Sequence, residues 1–120
     1  MREEARDPGR IEHMLQAIAK IEEYTEGVSF SQFANDSMRM HATTYNIQII
    51  GEAVYKLTAQ FKERYPEVPW NLIEKMRHVL VHDYYMILPE AVWDVVTDDI
   101  PTLKPALLRI KNSVVGGDNR

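Results

Sequence analysis

The 120-residue sequence contains no cysteine, which excludes disulfides and any thiolate metal site and suits a reducing compartment. No apolar run approaches the roughly 20 residues needed to cross a bilayer. The opening stretch, Met1 to Asp7, is charged and has no apolar segment of signal type behind it. A cytoplasmic protein with no membrane partner is the expectation. Basic charge is also short: 14 Lys and Arg stand against 18 Asp and Glu, for a net charge of −4. A protein that coats nucleic acid through its phosphates carries the opposite balance, so any such contact must be local. A protein-binding module would show the same imbalance. Apolar residues make up 45% and charged residues 27%, which is ordinary for a globular chain. Repeats, low-complexity tracts and alternating strand patterns are missing as well. At this size one domain is expected, over residues 1–115, with a flexible tail at 116–120.

Helical periodicity fills that frame. Asp7 reads as an N-cap before Pro8, and Ile11, Met14, Leu15, Ile18 and Ile21 recur at helical spacing, predicting a helix from Pro8 to Thr25 that Gly27 stops. Ser29 to Asp36 reads as a connection or short turn in which Phe30 and Phe33 cap the core. A long helix is expected from Asp36 to Arg64, with Ile47, Ile50, Val54, Leu57 and Phe61 on one stripe. After Pro66 and Pro69, a third helix begins at Trp70 and carries Ile73, Met76 and Leu80. His82 to Leu88 reads as a turn or kink, followed by a fourth helix from Pro89 to Thr97 and a fifth from Pro101. The fold class is therefore all-α, an up-and-down bundle of four to five helices.

The chemistry concentrates in Met76-Arg77-His78-Val79-Leu80-Val81-His82-Asp83-Tyr84-Tyr85. Arg77 is a guanidinium that keeps its proton, and His82 an imidazole that titrates near neutrality. Together they can stabilise a phosphorane and move protons around it, which makes RNA cleavage the leading reading. In a continuous helix a separation of five puts two side chains about 140° apart. Convergence of Arg77 and His82 therefore requires a helix end, a long reach by Arg77, or a symmetric dimer. The plainer reading is an Arg paired with an acid and a His closing a helix end. Glu74, His78 and His82, at successive separations of four, form a competing zinc-type arrangement if one helix runs through all three. Asp83 is placed to orient an imidazole. Asn46 and Glu52 read as inward-facing polar groups on an otherwise apolar helix, Met38 and Met40 as a partner-facing surface, and Arg39 and His41 as an addition to an RNA-facing cleft or a solvated polar face.

Arg77, four residues, His82, one residue and Tyr84 resemble the signature of the HEPN superfamily, in particular the HepT-like toxins of HEPN/nucleotidyltransferase toxin–antitoxin pairs. The blocks Asn46-Ile47-Gln48-Ile49-Ile50-Gly51-Glu52-Ala53, Tyr65-Pro66-Glu67-Val68-Pro69-Trp70, and Val92-Trp93 with Asp99-Ile100-Pro101 are similar in order and separation. The family often carries Asn after the motif Arg, where this chain has His78. The resemblance implies a homodimer, open to larger assembly, with the motif in a cleft at the interface. It implies a metal-independent endoribonuclease, with no cofactor, that cleaves RNA by attack of the 2′-hydroxyl on the adjacent phosphate. DNA is not an expected substrate. In that scheme His82 is general acid or base and Arg77 steadies the phosphorane, with His78 and Asp83 in support. It further implies a cognate nucleotidyltransferase antitoxin that silences the protein by AMPylation of Tyr84. A non-catalytic interaction subunit of such a complex is the alternative, and activity lost in chelator would mark the zinc reading.

Overall fold

The structure, a computed structural model, describes residues 5–79 and 88–118; for 78–79 and 115–118 it describes the backbone alone. Every regular element among the described residues is helical. In chain order these are α1 (Asp7–Thr25), α2 (Phe30–Ala34), α3 (Ser37–Lys56), α4 (Ala59–Arg64), α5 (Trp70–Glu74), α6 (Met76–Val79), α7 (Pro89–Asp94), a π-helical turn (Val95–Asp99) and α8 (Ile100–Asp118).

α3 is the central rod, packed against α1, α2, α5, α6 and α7, while α1 also packs on α8. Burial follows the periodicity. Ile11, Met14, Ile18 and Ile21 of α1, Ile47, Ile50 and Val54 of α3, and Leu103, Leu107 and Ile110 of α8 are all buried in one core. A large aliphatic side chain buried this completely contributes about 1.5–3 kcal/mol, so this seam holds the bundle together.

Several boundaries differ from the sequence-based expectation, each for a local reason. Asp7 does not cap α1, whose N-cap position is Arg6 with no side-chain hydrogen bond. Asp7 is instead buried, accepting from the Thr58 backbone N at 3.1 Å and the Thr58 hydroxyl at 2.7 Å. Those bonds help break the long helix expected over Asp36 to Arg64. It ends at Lys56, Leu57 turns extended, and Thr58 restarts the chain by accepting from Phe61 N. The connection expected at Ser29 to Asp36 holds a short helix, α2, because Ser29 and Gln32 close a capping box across its first turn. Phe33 and Phe30 then pin α2 to Trp93 of α7, with ring centroids 5.0 and 5.9 Å apart.

Trp70 donates its indole N–H to the carbonyls of Lys62 and Tyr65, terminating α4 and seating α5 beside it. The third helix divides at Lys75 into α5 and α6. Its expected continuation to Leu80 lies outside the described residues, as does the turn expected from His82. The fourth and fifth helices are not separate: one π turn joins α7 to α8, with Ile100 N donating to the Val95 carbonyl. Pro101 lacks the N–H that a regular α-helix would direct at Thr97, and the wider turn just before it absorbs that defect. Helical backbone continues to Asp118, beyond the start of the expected tail.

Candidate functional site

Arg77 sits in the short helix α6, which crosses the second half of α3. Gly51 of α3 makes that crossing possible. It is buried, and a Cβ there would lie 2.6 Å from the Arg77 backbone N and 3.0 Å from the Arg77 Cβ. A glycine in mid-helix costs about 0.5–1 kcal/mol relative to alanine, and here the exchange is a close backbone contact.

The Arg77 side chain lies flat across Tyr55, four residues on from Gly51, with the guanidinium carbon 3.8 Å from the ring centroid. This is cation–π range. Glu52 stands at its edge, with Oε2 3.8 Å from Arg77 Nη1. That separation exceeds a good charge-assisted hydrogen bond, and the carboxylate is about half exposed, so the pair contributes at most ~1 kcal/mol. Arg77 Nε is buried and finds no hydrogen-bond acceptor among the described residues. Among the described residues the guanidinium is thus positioned by stacking more than by bonding.

Glu52 is exposed, contrary to the inward orientation expected, because the turn of α3 that carries it faces α6 and the groove beside α1. Asn46 is buried as expected, but its amide donates to the Ala42 carbonyl of its own helix at 2.9 Å. His82, Asp83 and Tyr84 lie outside the described residues, and so does the His78 side chain. The structure brings together Arg77 and Glu52 from the expected set. For the zinc-type reading, the helix carrying Glu74 is interrupted at Lys75, and Glu74 is 3.5 Å from Lys62 Nζ. Among the described residues no cluster of three metal-ligating side chains occurs.

Met38 is 85% exposed and Tyr45 64%, one heptad apart on one face of α3, whereas Met40 is only partly exposed and packs against the core. Arg39 is committed to Asp36 and the Tyr24 carbonyl, and His41 Nδ1 to the Ser37 carbonyl and hydroxyl, which removes both from an open cleft.

Two hollows flank this region. The larger, about 550 Å³, is mostly apolar, lined by Leu72, Ile73, Met76, Val95 and Leu103, with Asp99 on its rim. Desolvation, then the neighbouring charges of Asp98 and Asp94, raises the Asp99 pKa above its usual value. The smaller, about 520 Å³, runs between the start of α1 and the second half of α3 and includes Glu52. Tyr55, Gly51 and this second groove were not singled out from the sequence. The signal for Gly51 was an isolated glycine inside a strong helical pattern; for Tyr55, its place one turn beyond that glycine.

The profile of the family described as Ribonuclease HepT-like matches residues 14–110. A candidate RNase of Caldanaerobacter subterraneus is 34% identical over 100 residues, covering 83% of this chain and 89% of its own length. A candidate ribonuclease HepT of Thermococcus cleftensis is 36% identical over 94 residues, covering 78% of this chain and 86% of its own. A Methanocaldococcus jannaschii protein named as a gamma-glutamylcyclotransferase and candidate RNase is 36% identical over 100 residues, 83% of this chain, which spans only 45% of that longer protein. No solved structure matches the chain.

Proposed function

Because the chain belongs to the HepT-like ribonuclease family, we propose that it is a metal-independent endoribonuclease, the toxin of a toxin–antitoxin pair, built around Arg77 and His82. The observation that carries this reading is the Arg77 guanidinium, stacked on Tyr55 and only loosely paired with Glu52, with its Nε lacking an acceptor among the described residues. The 2′-hydroxyl of RNA attacks the adjacent phosphorus, the 5′-oxygen leaves, and the products end in a 2′,3′-cyclic phosphate and a 5′-hydroxyl. His82 transfers the proton, a contribution of roughly 10²- to 10⁴-fold. Arg77 stabilises the charge that gathers on the non-bridging oxygens in the pentavalent state. His78 and Asp83 tune the imidazole. Met38 and Tyr45, exposed together on one face of α3, support a homodimer whose two motifs share a cleft.

Control belongs to the same reading. A partner nucleotidyltransferase transfers AMP to the phenol of Tyr84, two residues from His82, placing bulk and negative charge where the RNA phosphate must arrive.

The test is cleavage of total RNA in excess EDTA by protein shown by intact mass to carry no AMP, beside Arg77→Ala and His82→Ala. Cleavage with cyclic-phosphate ends, lost in both variants while helical content is kept, is the expected result. Absence of cleavage by folded wild-type protein would transfer the reading to a non-catalytic interaction subunit. Engagement of Arg77 by Glu52 and Tyr55 favours that second reading, since an arginine so held can serve as structure alone.

A further inference from the structure

The Arg77 guanidinium covers one face of the Tyr55 ring, 3.8 Å from its centroid, yet Tyr55 remains 53% exposed. That exposure belongs to the opposite face and the outer edge of the ring. Among the described residues the ring–ring contacts are packing contacts: Phe30 and Phe33 meet Trp93, and Phe61 meets Tyr65. Tyr55 carries a cation instead. We propose that the outer face of Tyr55 is a stacking platform for an unpaired RNA base beside the phosphate that Arg77 holds; the inference rests on the ribonuclease reading and adds a substrate-contacting residue to it.

Ring and guanidinium are set against each other by the backbone. Tyr55 lies in the last turn of α3, one residue before its end, and Arg77 lies in α6. The two helices approach so closely at Gly51 that a Cβ there would sit 2.6 Å from the Arg77 backbone N. A base on the outer face and a phosphate at the guanidinium edge are then separated by the thickness of one ring and the contacts on either side. A nucleotide spans that gap between its base and the phosphates flanking its ribose. Both protein groups stand on helices, so little of the binding energy is lost to ordering them.

Charge decides what kind of grip is needed. With 18 acids against 14 Lys and Arg, the chain as a whole repels a polyanion, and phosphate attraction is confined to what the site supplies locally. Stacking owes nothing to charge. An aromatic–base contact contributes about five- to 140-fold in affinity, and it tolerates any sequence because every base has a π-face. It does require the base to be out of a helix, since a duplex keeps its bases paired and stacked on one another. Tyr55 therefore selects unpaired RNA without selecting its sequence. A protein surface would also cover the ring, but a nucleotide brings an anion for Arg77 and a flat apolar face for Tyr55 in one ligand.

The experiment pairs a change in the ring with a change in the base. Cleavage sites are mapped on total RNA from their cyclic-phosphate ends, and a twelve-nucleotide RNA spanning one site is made with 2′-O-methyl groups everywhere except at the scissile nucleotide. It is compared with two strands made abasic on the 5′ or the 3′ side of the scissile phosphate. Each is given to wild type, Tyr55→Leu and Tyr55→Phe; the position is more than half exposed, so all should fold, with matched thermal midpoints as the check. For the wild type, one abasic strand should raise KM about five- to 140-fold. Tyr55→Leu should show that rise already on the intact strand and no further rise on the same abasic one, because ring and base act as a pair. Tyr55→Phe restores the ring and should restore KM. Loosening of Arg77 reads out separately, as a fall of about two- to five-fold in kcat. Binding of a fully 2′-O-methylated strand should weaken in Tyr55→Leu with an unchanged salt slope, since no phosphate contact is lost.

KM losses from ring and base that multiply independently, or a reduced salt slope in Tyr55→Leu, would show that the ring acts only through Arg77 and would overturn the proposal. So would a Tyr55→Leu protein that sediments as a smaller species than wild type, which would give the ring to a second copy of the chain. If the wild type cleaves no RNA, the ribonuclease reading falls on its own. Stacking is then decided on a fully 2′-O-methylated oligouridine with one central 2-aminopurine, whose fluorescence the wild type should quench and Tyr55→Leu should not; equal quenching overturns it.

Discussion

Gly51 and Arg77, twenty-six positions apart, meet backbone to side-chain root: a methyl group on Gly51 would sit 2.6 Å from the Arg77 amide nitrogen. The obstacle is main chain and cannot swing aside, so α6 as a whole must move. Gly51→Ala gains up to ~1 kcal/mol of intrinsic helix preference, while overpacking of this kind costs ~1–3 kcal/mol. We expect net destabilisation of about 1–2 kcal/mol in urea unfolding, with RNA cleavage falling further than stability accounts for, because Arg77 leaves its place over Tyr55. A variant more stable than wild type with full activity would show that α6 yields freely.

Tyr55 should act on Arg77 through its ring and not its hydroxyl. Tyr55→Phe is expected to cleave like the wild type. Tyr55→Ser removes a cation–π contact of about 0.5–1 kcal/mol at an exposed site, a loss of about two- to five-fold in kcat. A large effect of the Phe variant would point to chemistry at the phenol instead.

The Asp7 and Thr58 pair is a long-range clamp on the α3–α4 break. Thr58→Val deletes an N-cap, costing about 0.5–2 kcal/mol, and leaves a buried carboxylate oxygen short of a donor, costing about 1–3 kcal/mol more. Chemical denaturation should report a loss within about 2–4 kcal/mol. Thr58→Ser, which keeps the hydroxyl, should recover most of it; failure to do so would locate the effect in the methyl group.

Asp99 gives a pH signature. Its carboxyl is held above the usual 3.8 by desolvation at the cavity rim, then by Asp98 and Asp94. A raised folded-state pKa means that the folded protein binds this proton more tightly than the unfolded chain, so stability falls as pH rises from 3.8 through the folded value. Asp99→Asn cannot ionise and escapes that loss. Its urea midpoint, relative to wild type, should climb across the window and stay higher at neutral pH. An unchanged difference from pH 3.5 to 7 would mean that Asp99 titrates as a free carboxylate.

The class of fold was legible because burial obeys periodicity: Ile11, Met14, Ile18 and Ile21 face inward as their spacing requires. What escaped were the breaks. Leu57 and Thr58 interrupt a strong helical pattern because Asp7, fifty-one residues away, accepts from Thr58, and no local window contains that partner. Pro101 was read as a helix start, when a π turn carries the helix through it. Ser29 and Gln32 did spell a capping box, but α2 is only five residues long and carries too little periodicity to register.

The site divides in the same way. Arg77 announced itself by residue type, since few side chains hold a permanent charge beside an imidazole. Its support did not: Tyr55 and Gly51 matter because α6 crosses α3 at that point, and the crossing is a tertiary fact. Glu52 was read as an inward-facing polar group, yet it faces outward, 3.8 Å from Arg77 Nη1 and toward the groove, because the face it occupies is set by how α3 packs against α6 and α1.

The loose contact between Glu52 and Arg77 also governs which anions can win the guanidinium. A free phosphate or nucleotide must displace the carboxylate from dilute solution, with nothing gained elsewhere. A phosphate belonging to a strand already tethered nearby competes at a high local concentration, in the millimolar range typical of short flexible tethers. Under the proposed ribonuclease reading, the half-exposed carboxylate is therefore expected to act as a small threshold, at most ~1 kcal/mol, that favours a polymer's phosphate over a free one.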